Sequence, residues 1–259
     1  MAKPAKTREP GDAAAAAKVD AQRAAQLTEW LAFDPEPAAI PCDDEARAML
    51  ARMGIELSSE EETLLGRYLG MLFAMNERVN LTRVEREGAW TRHILDSLTL
   101  LGPLASIETL VSAIDIGSGG GLPGIPLAIA RREVQWTLVE ATAKKARFLE
   151  AVIRALGLTN VRVLQSRAES AARGALREHF DAATSRAVGP LSDVAMCSIP
   201  FLRIGGVMLA IKGERAGEEV VSAKQVLYEL HASVVNEIRT ETNTIVAIEK
   251  QRKTPAKFP

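Results

Sequence analysis

Residues 110–126 read LVSAIDIGSGGGLPGIP, and this stretch decides the fold class. Its first seven residues form a short apolar run with the length of a buried β-strand. The glycines that follow allow a tight turn, at which a ligand can approach the backbone closely. Pro123 and Pro126 are tolerated only in the first turn of a helix, so a helix is expected directly after the glycines. The stretch therefore predicts a strand, a ligand-binding turn and a helix in succession.

The same alternation continues along the chain. Strand-like runs lie at 134–140, 160–165, 181–185 and 206–211, and helix-like stretches separate them at 142–156, 168–178, 190–203 and 217–229. Strands that alternate with helices predict an α/β fold with a parallel sheet. Two final runs, 232–239 and 243–249, predict an antiparallel hairpin that closes the sheet. Gly205 and Gly206 are expected to form the turn before the fifth strand.

A small helical unit precedes the sheet. Ser59 and Glu62 match a capping box at the start of one helix, and a second helix is expected at 90–101. Apolar residues at helical spacing follow the capping box: Leu64, Leu65, Tyr68, Leu69, Leu72 and Phe73. The predicted parts are a mostly disordered extension at 1–40 with a helix near 18–31, the helical unit at 41–108, the α/β domain at 109–250 and a basic tail at 251–259.

The composition excludes several classes of protein. The 259 residues include 32 Lys and Arg against 33 Asp and Glu, so a highly basic nucleic-acid coat protein is excluded, although a local basic face is not. Cys42 and Cys197 lack the paired spacing of a disulfide framework or a zinc site. We therefore expect a protein of the reducing cytoplasm that binds no metal. No apolar run reaches the roughly 18 residues of a membrane span. A monomer is favoured, although the sequence does not determine the oligomeric state.

Two classes of ligand fit the glycine turn. Gly119, Gly121 and Gly124 have the spacing of the dinucleotide fingerprint, which would suit an NAD-dependent oxidoreductase. Asp115 with Gly117, Gly119 and Gly121 instead matches the acidic-x-Gly-x-Gly-x-Gly pattern of S-adenosylmethionine (AdoMet) methyltransferases. A non-catalytic RNA-binding module with a vestigial pocket is a third alternative.

Other features favour the methyltransferase without excluding the alternatives. Glu140 ends the second strand, where an acid can bind both ribose hydroxyls of either ligand, so it does not discriminate. Pro123 inside the dinucleotide fingerprint counts against NAD, and the terminal hairpin favours the methyltransferase variant of the fold.

The absence of certain residues reduces the number of chemical groups that could accept the methyl group. Cytosine-C5 enzymes need a cysteine nucleophile, but Cys42 precedes the α/β domain and Cys197 lies in a predicted helix. Amino-group enzymes usually carry an Asp/Asn-Pro-Pro-aromatic segment after the fourth strand, where residues 184–188 read TSRAV. A purine N7 needs neither device, because it has a lone pair and no proton to remove.

An ordered set of motifs resembles one family. The motifs are Asn80-Leu81-Thr82, Arg92-His93-Ile94-Leu95-Asp96-Ser97, Asp115-Ile116-Gly117, Gly121-Leu122-Pro123-Gly124-Ile125-Pro126, Gln165-Ser166-Arg167-Ala168-Glu169, Ser185-Arg186-Ala187 and Lys212-Gly213. Over about residues 55–250 the chain resembles the small-subunit ribosomal RNA guanine-N7 methyltransferases (RsmG, also called GidB). Many members have Gly-Pro-Gly where this chain has three glycines at 119–121, a mild change.

The resemblance implies a class I Rossmann-like AdoMet-dependent sheet with an N-terminal helical unit, and methylation of N7 of a guanine in 16S rRNA. The implied partner is the small ribosomal subunit in the cytoplasm, and the product is S-adenosylhomocysteine. Together with the strand-end and glycine-turn assignments, the expected cofactor-binding residues are Asp115, Gly117, Gly119, Gly121, Leu122, Glu140, Ala168, Glu169 and Arg186. The expected substrate-pocket residues are Asn80, Arg92, His93, Asp96 and Lys212.

Four of the five pocket residues also have a simpler interpretation. Arg92 and Asp96 are four residues apart and could form a surface ion pair. Asn80 could cap a helix in the left-handed conformation, and Lys212 could be a solvated lysine rather than a phosphate contact. The basic residues near the C-terminus could bind phosphate or be solvated: Lys250, Arg252, Lys253 and Lys257.

Overall fold

The computed structural model describes Phe33 and residues 36–259, and it contains a seven-stranded sheet in the order β3-β2-β1-β4-β5-β7-β6. The strands are β1 Ser112–Ile116, β2 Gln135–Glu140, β3 Val161–Gln165, β4 Phe180–Arg186, β5 Leu202–Lys212, β6 Ala232–Arg239 and β7 Thr244–Lys250. β1 to β5 pair in parallel, and β7 is antiparallel to both β5 and β6. The predicted α/β fold and closing hairpin are therefore confirmed.

Helices lie before the sheet and between its strands. They are α1 Asp44–Arg52, α2 Ser59–Val79, a π-helix Trp90–Leu95 that continues as an α-turn Asp96–Leu98, α3 Leu101–Ala105, α4 Gly124–Ala130, α5 Ala143–Leu156, α6 Ala168–Ala171, α7 Leu191–Ser198 and α8 Ala216–Glu229. Among the described residues, no helix has the length and apolar character needed to cross a membrane.

Three local expectations are corrected. The capping box uses Ser58 and Glu61, one residue earlier than expected, because Glu62 instead pairs with Arg47. The fifth strand begins at Leu202, so Gly205 and Gly206 lie within β5, at its register shift against β4, rather than in a turn before it. The predicted helices at 168–178 and 190–203 are shorter, and the helix at 90–101 is π-helical in its first part.

The helical unit shares one apolar core with one face of the sheet. Tyr68 and Leu72 of α2 pack in the same buried cluster as Ile125 of α4 and Leu149 of α5. The opposite face carries α7 and α8, whose buried residues include Val194 and Leu227. The helices at the N-terminal end are therefore held directly above the loop that leaves β1.

Residues 36–40 are packed on α2, although the sequence places them in a disordered extension. The Ile40 N–H donates to the Gly66 carbonyl, and the Trp90 indole N–H donates to the Ile40 carbonyl at 3.0 Å. A Cβ on Gly66 would lie 2.8 Å from the Ile40 carbonyl oxygen, and one on Gly70 would lie 2.4 Å from that of Ala38. The two glycines thus allow the chain to cross α2 in close contact. The helix expected near 18–31 lies outside the described residues.

Candidate active site

The loop after β1 forms an open backbone cradle. Gly117, Gly119 and Gly121 have φ values of +68°, +56° and +99°, a region that glycine enters without strain. The Gly117 and Ser118 N–H groups donate to the Val139 carbonyl at 2.9 and 3.1 Å, which ties the loop to β2. A Cβ on Gly119 would meet only the Gly117 carbonyl oxygen, at 3.8 Å, so the space beside Gly119 is available to a ligand.

Glu140 fixes this loop from the end of β2. Its Oε2 accepts from the Gly119 N–H at 2.9 Å, and its Oε1 accepts from the Thr142 N–H at 2.7 Å. Each carboxylate oxygen can accept a further hydrogen bond. An acid at the mouth of the glycine loop with unused acceptor capacity fits the ribose hydroxyls of AdoMet.

Asp115 lies near the end of β1, just before the loop, and its carbonyl accepts from the Ser118 hydroxyl at 3.1 Å. Its side chain is fully buried, and its Oδ1 accepts from the Thr184 hydroxyl at 2.9 Å. Burial raises the pKa of Asp115 to about 6. The cofactor contact expected at Asp115 stays a prediction, and its buried Oδ2 has no hydrogen-bond partner among Phe33 and residues 36–259.

Tyr68 connects the helical unit to the same loop. Its hydroxyl is fully buried and donates to the Gly120 carbonyl at 2.7 Å. A Cβ on Gly120 would lie 2.9 Å from Leu72 of α2, so the loop and the helix are in close contact. The helical spacing predicts only that Tyr68 is buried, because periodicity carries no information about the partner of a hydroxyl.

Three further expected cofactor residues lie after β1 and after β3, and their contact with a cofactor stays a prediction. Leu122 is almost buried in the core, and Ala168 and Glu169 begin the short α6 after β3. Burial, with Glu169 acting next, raises the pKa of Cys197 to about 11. This thiol is protonated at neutral pH, in agreement with its interpretation as inert.

Arg186 joins the end of β4 to the π-helix. Its Nη2 donates to the Arg92 carbonyl at 2.7 Å, and its Nε lies 3.4 Å from Asp96 Oδ2. The predicted Arg92–Asp96 surface pair is wrong, because Asp96 is buried and faces Arg186, whereas Arg92 is exposed. The structure thus brings Arg186, expected at the cofactor, into contact with Arg92 and Asp96, which were expected in the substrate pocket.

His93 is buried beside Arg186 and is neutral at physiological pH. Its Nε2 lies 2.7 Å from the Thr82 hydroxyl, and its Nδ1 lies 3.1 Å from the Arg92 carbonyl. Burial, and next the positive charge of Arg186, lower the pKa of His93 to about 4. His93 therefore holds the π-helix against the loop that contains Thr82.

Replacing His93 by Gln is expected to remove part of the protein's sensitivity to acid. The pKa of His93 is about 4 in the folded state and near 6.5 when unperturbed, so the unfolded state binds the extra proton and stability falls as the pH drops between these values. The loss amounts to about 3 kcal/mol. Urea unfolding should show the stability advantage of the wild type over His93→Gln shrinking by that amount from pH 6.5 to pH 4.

Asp115 acts with the opposite sign, because its raised pKa makes stability fall as the pH rises from 3.8 towards 6. That contribution is common to wild type and variant and cancels in the difference. His179→Gln is the matched control, since it makes the same substitution at an exposed histidine. A wild-type advantage that stays constant across this pH range would contradict the buried neutral state of His93.

Asn80 is a helix cap. Its φ of 54° is left-handed, its N–H donates to the Asn76 carbonyl at 2.9 Å, and its side chain is exposed. The neighbouring Asn76 has the organising role that the sequence did not reveal. Its Oδ1 accepts from the Leu81 and Thr82 N–H groups, both at 2.8 Å, and so places Thr82 against His93.

A cavity of about 780 Å³ opens at the carboxyl ends of β4 and β5. Its lining includes Arg92, Asp96, Arg186, Lys212, Arg215 and Asn243. Ligands of open α/β sheets bind at this edge. The chain that lines the cavity also approaches the glycine loop. Ala187 and Gly189 line the cavity, and a Cβ on Gly117 would lie 2.9 Å from Val188 between them.

Lys212 is neither solvated nor free to bind phosphate. It is almost buried, and its Nζ lies 2.8 Å from Glu219 Oε2 and donates to the Gly189 carbonyl at 2.6 Å. Both alternatives from the sequence are therefore corrected. Lys212 ties the end of β5 to α8 and to the loop after β4.

The basic residues near the C-terminus include both buried and exposed side chains. Lys250 is fully buried, with its Nζ 3.1 Å from Glu178 and donating to the Leu202 carbonyl, so its expected phosphate contact is wrong. Lys257 pairs with Glu229, and Arg252 and Lys253 are exposed. Within Phe33 and residues 36–259, no group of three or more His, Cys, Asp or Glu side chains could hold a metal ion.

The strand order, the glycine cradle and Glu140 define a Rossmann-like AdoMet-dependent methyltransferase. A family profile described as GidB: rRNA small subunit methyltransferase G matches residues 61–246, and the chain belongs to this family. The alternative of an NAD-dependent oxidoreductase is therefore wrong.

Relatives and solved structures agree with this assignment. The chain is 47% identical over 211 residues to the "Ribosomal RNA small subunit methyltransferase G" of Sorangium cellulosum, covering 81% of this chain and 88% of the relative. It is 41% identical over 213 residues to the protein of that name from Chloroflexus aggregans, covering 80% and 89%. A putative AdoMet-dependent methyltransferase from Methanococcus maripaludis is 15% identical with a TM-score of 0.51, covering 64% of this chain and 90% of that one. A Corynebacterium glutamicum protein is 16% identical with a TM-score of 0.53, covering 81% and 97%, and both structures show the fold alone.

Proposed function

We propose that the protein transfers a methyl group from AdoMet to N7 of a guanine in the 16S rRNA of the small ribosomal subunit. The observation that carries the proposal is that the glycine cradle and a cavity lined by Arg186 lie at the same edge of the sheet, where Val188 approaches Gly117. The names of the relatives indicate that the substrate is ribosomal RNA of the small subunit.

The cofactor is held by the cradle and its surroundings in this proposal. The loop backbone at Gly117, Gly119 and Gly121 and the side chain of Leu122 face the methionine part, Glu140 binds the ribose, and the Ala168-Glu169 pair lies beside the adenine. When bound, AdoMet supplies a sulfonium methyl group that an unprotonated ring nitrogen can accept by direct attack. Asp115 and Tyr68 hold the loop in shape from behind.

The lining of the cavity suits an acceptor that has no proton to lose. Its described residues include neither a cysteine nor a histidine, so neither a thiol nucleophile nor an imidazole base faces the acceptor. N7 of guanine needs only alignment and charge placement. Arg92 and Arg215 are exposed at the cavity and are suited to phosphates, while Asp96, Glu218 and Glu219 provide negative charge for a purine that becomes cationic.

The proposal also includes the compartment, the oligomeric state and the domain organisation of the protein. The two free cysteines, Cys42 and Cys197, support a reducing cytoplasm, where small ribosomal subunits are available. We treat the protein as a metal-independent monomer with a helical unit at 41–108, a methyltransferase domain at 109–250 and a tail at 251–259.

Mass mapping of 16S rRNA from cells with and without the gene tests the function. A single guanine fragment should lose the mass of one methyl group when the gene is deleted, and the purified protein with labelled AdoMet should restore it. Assembled small subunits and free 16S rRNA should be supplied separately, because they are different substrates. Binding of the RNA without transfer of label would favour the non-catalytic RNA-binding module, and an unmethylated wild-type fragment would refute the proposal.

A further inference from the structure

The turn between β6 and β7 reaches the cavity from the far edge of the sheet. Thr240 closes this turn, because its N–H donates to the Asn243 carbonyl at 2.9 Å and its hydroxyl accepts from the Asn243 N–H at 3.0 Å. The side chain of Asn243 is thereby directed into the lining that also contains Asp96 and Arg186. From the sequence, Asn243 is expected only as part of the terminal hairpin.

Asn243 makes its principal contact with Asp96. Its Nδ2 donates to Asp96 Oδ1 at 2.9 Å and lies 3.3 Å from the Thr99 hydroxyl, which itself donates to the Asp96 carbonyl at 2.7 Å. Asp96 is 8% exposed, so its carboxylate depends on these partners rather than on water. A hydrogen bond to a charged group is among the stronger ones in proteins.

The carboxylate of Asp96 links the hairpin to Arg186. Oδ1 accepts from Asn243, and Oδ2 lies 3.4 Å from Arg186 Nε. An amide on one oxygen fixes the rotation of the carboxyl group and hence the direction in which the other oxygen meets the guanidinium. Arg186 is then held from two sides, by Asp96 and by the Arg92 carbonyl.

Two atoms of this network are left without partners. Asn243 Oδ1 and Arg186 Nη1 are buried and have no hydrogen-bond partner among Phe33 and residues 36–259. A network that served packing alone would be expected to satisfy such atoms. Both residues line the same cavity, so the network stands directly beside the space that an acceptor base would occupy.

We infer that Asn243 is a positioning residue of the methyl-transfer reaction: it orients Asp96, and through Asp96 it holds Arg186 at the cavity. The inference rests on the proposed function. The charged groups that face this site come from the π-helix, β4, β5 and α8: Arg92, Asp96, Arg186, Lys212, Arg215, Glu218 and Glu219.

The test compares three variants at saturating AdoMet and 16S rRNA substrate. Asn243→Ala should lower kcat by about tenfold, the equivalent of one hydrogen bond to a charged group. Glu241→Ala is the matched control in the same turn, because Glu241 is exposed and pairs with Arg52 away from the cavity, and it should keep the wild-type kcat. Circular dichroism and thermal melting verify that each variant is folded.

Asn243→Asp adds a second measurement, the pH dependence of kcat, which would not change if Asn243 had only a structural role. Two adjacent carboxylates share a proton at low pH, and the protonated Asp can donate to Asp96 as the amide does. Relative to wild type at each pH, its kcat should recover to within about threefold at pH 6 and fall to the level of the Ala variant at pH 8. The ratio for Asn243→Ala should stay constant across the same range.

The outcomes separate the inference from the proposed function. A wild-type protein that neither binds AdoMet nor methylates the RNA would refute the proposed function. An active wild type with an unchanged kcat in folded Asn243→Ala, or with an Asp variant whose relative kcat ignores pH, would overturn the positioning role alone.

Discussion

Gly119→Arg is expected to weaken AdoMet binding at least about 100-fold, which corresponds to roughly 2.7 kcal/mol. The side chain of the variant would fill the space beside the cradle, where a Cβ on Gly119 meets only the Gly117 carbonyl oxygen. Because no core residue borders that space within 4 Å, the fold should survive. Isothermal titration calorimetry with AdoMet measures the loss.

Gly119→Ala is the matched control for backbone strain. Both variants place a Cβ at a φ of +56°, which costs about 1–2 kcal/mol, but only Arg occupies the ligand space. The Ala variant should therefore melt at a similar temperature to the Arg variant and bind AdoMet much more tightly. Equal AdoMet affinities for the two variants would show that the cofactor does not lie over Gly119.

Gly121→Arg is expected to behave differently, because it should unfold the protein. A Cβ there would lie 2.7 Å from Ile125 and 3.1 Å from Leu149, both fully buried. A substitution at Gly121 therefore tests packing and not the cofactor site.

Arg186→Ala is expected to lower kcat for methyl transfer by about 100-fold or more, because misplacement at a reacting centre has effects of this size. The substitution removes the cation that contacts the Arg92 carbonyl and Asp96, and it leaves the buried Asp96 carboxylate without its charge partner. AdoMet affinity should fall as well if the cofactor extends from the cradle to the cavity that Arg186 lines. Single-turnover assays with labelled AdoMet measure the rate.

Two further variants show whether the loss of rate is specific to the Arg186 side chain. Arg186→Lys keeps the charge but not the planar set of donors, so it should recover only part of the rate. Arg203→Ala removes an arginine that pairs with Asp181 near the other end of the strands, and it should keep the wild-type rate. If folded Arg186→Ala transferred methyl groups at the wild-type rate, the assignment of the cavity as the reaction site would be wrong.

The local features of this protein follow from its sequence. The strand, glycine turn and helix at 110–126 were predictable because apolar runs, glycines and prolines restrict the backbone within a few residues. The terminal hairpin and the left-handed cap at Asn80 have equally local causes. Glu140 was predictable as a loop partner because the ends of parallel strands meet at one edge of a sheet.

The partners of the polar side chains were decided only by the tertiary structure. Asp96 meets Asn243, 147 residues away, and Lys250 meets Glu178, 72 residues away, and neither contact has a signature in local spacing. Such pairs depend on the pairing register of the β6–β7 hairpin with β5 and on the position of the π-helix against the sheet. Burial then makes each pairing obligatory, because a buried charge without a partner is costly. The sequence by itself therefore determined where a cofactor loop would form, and the packing of distant segments decided which charged groups are free to act beside it.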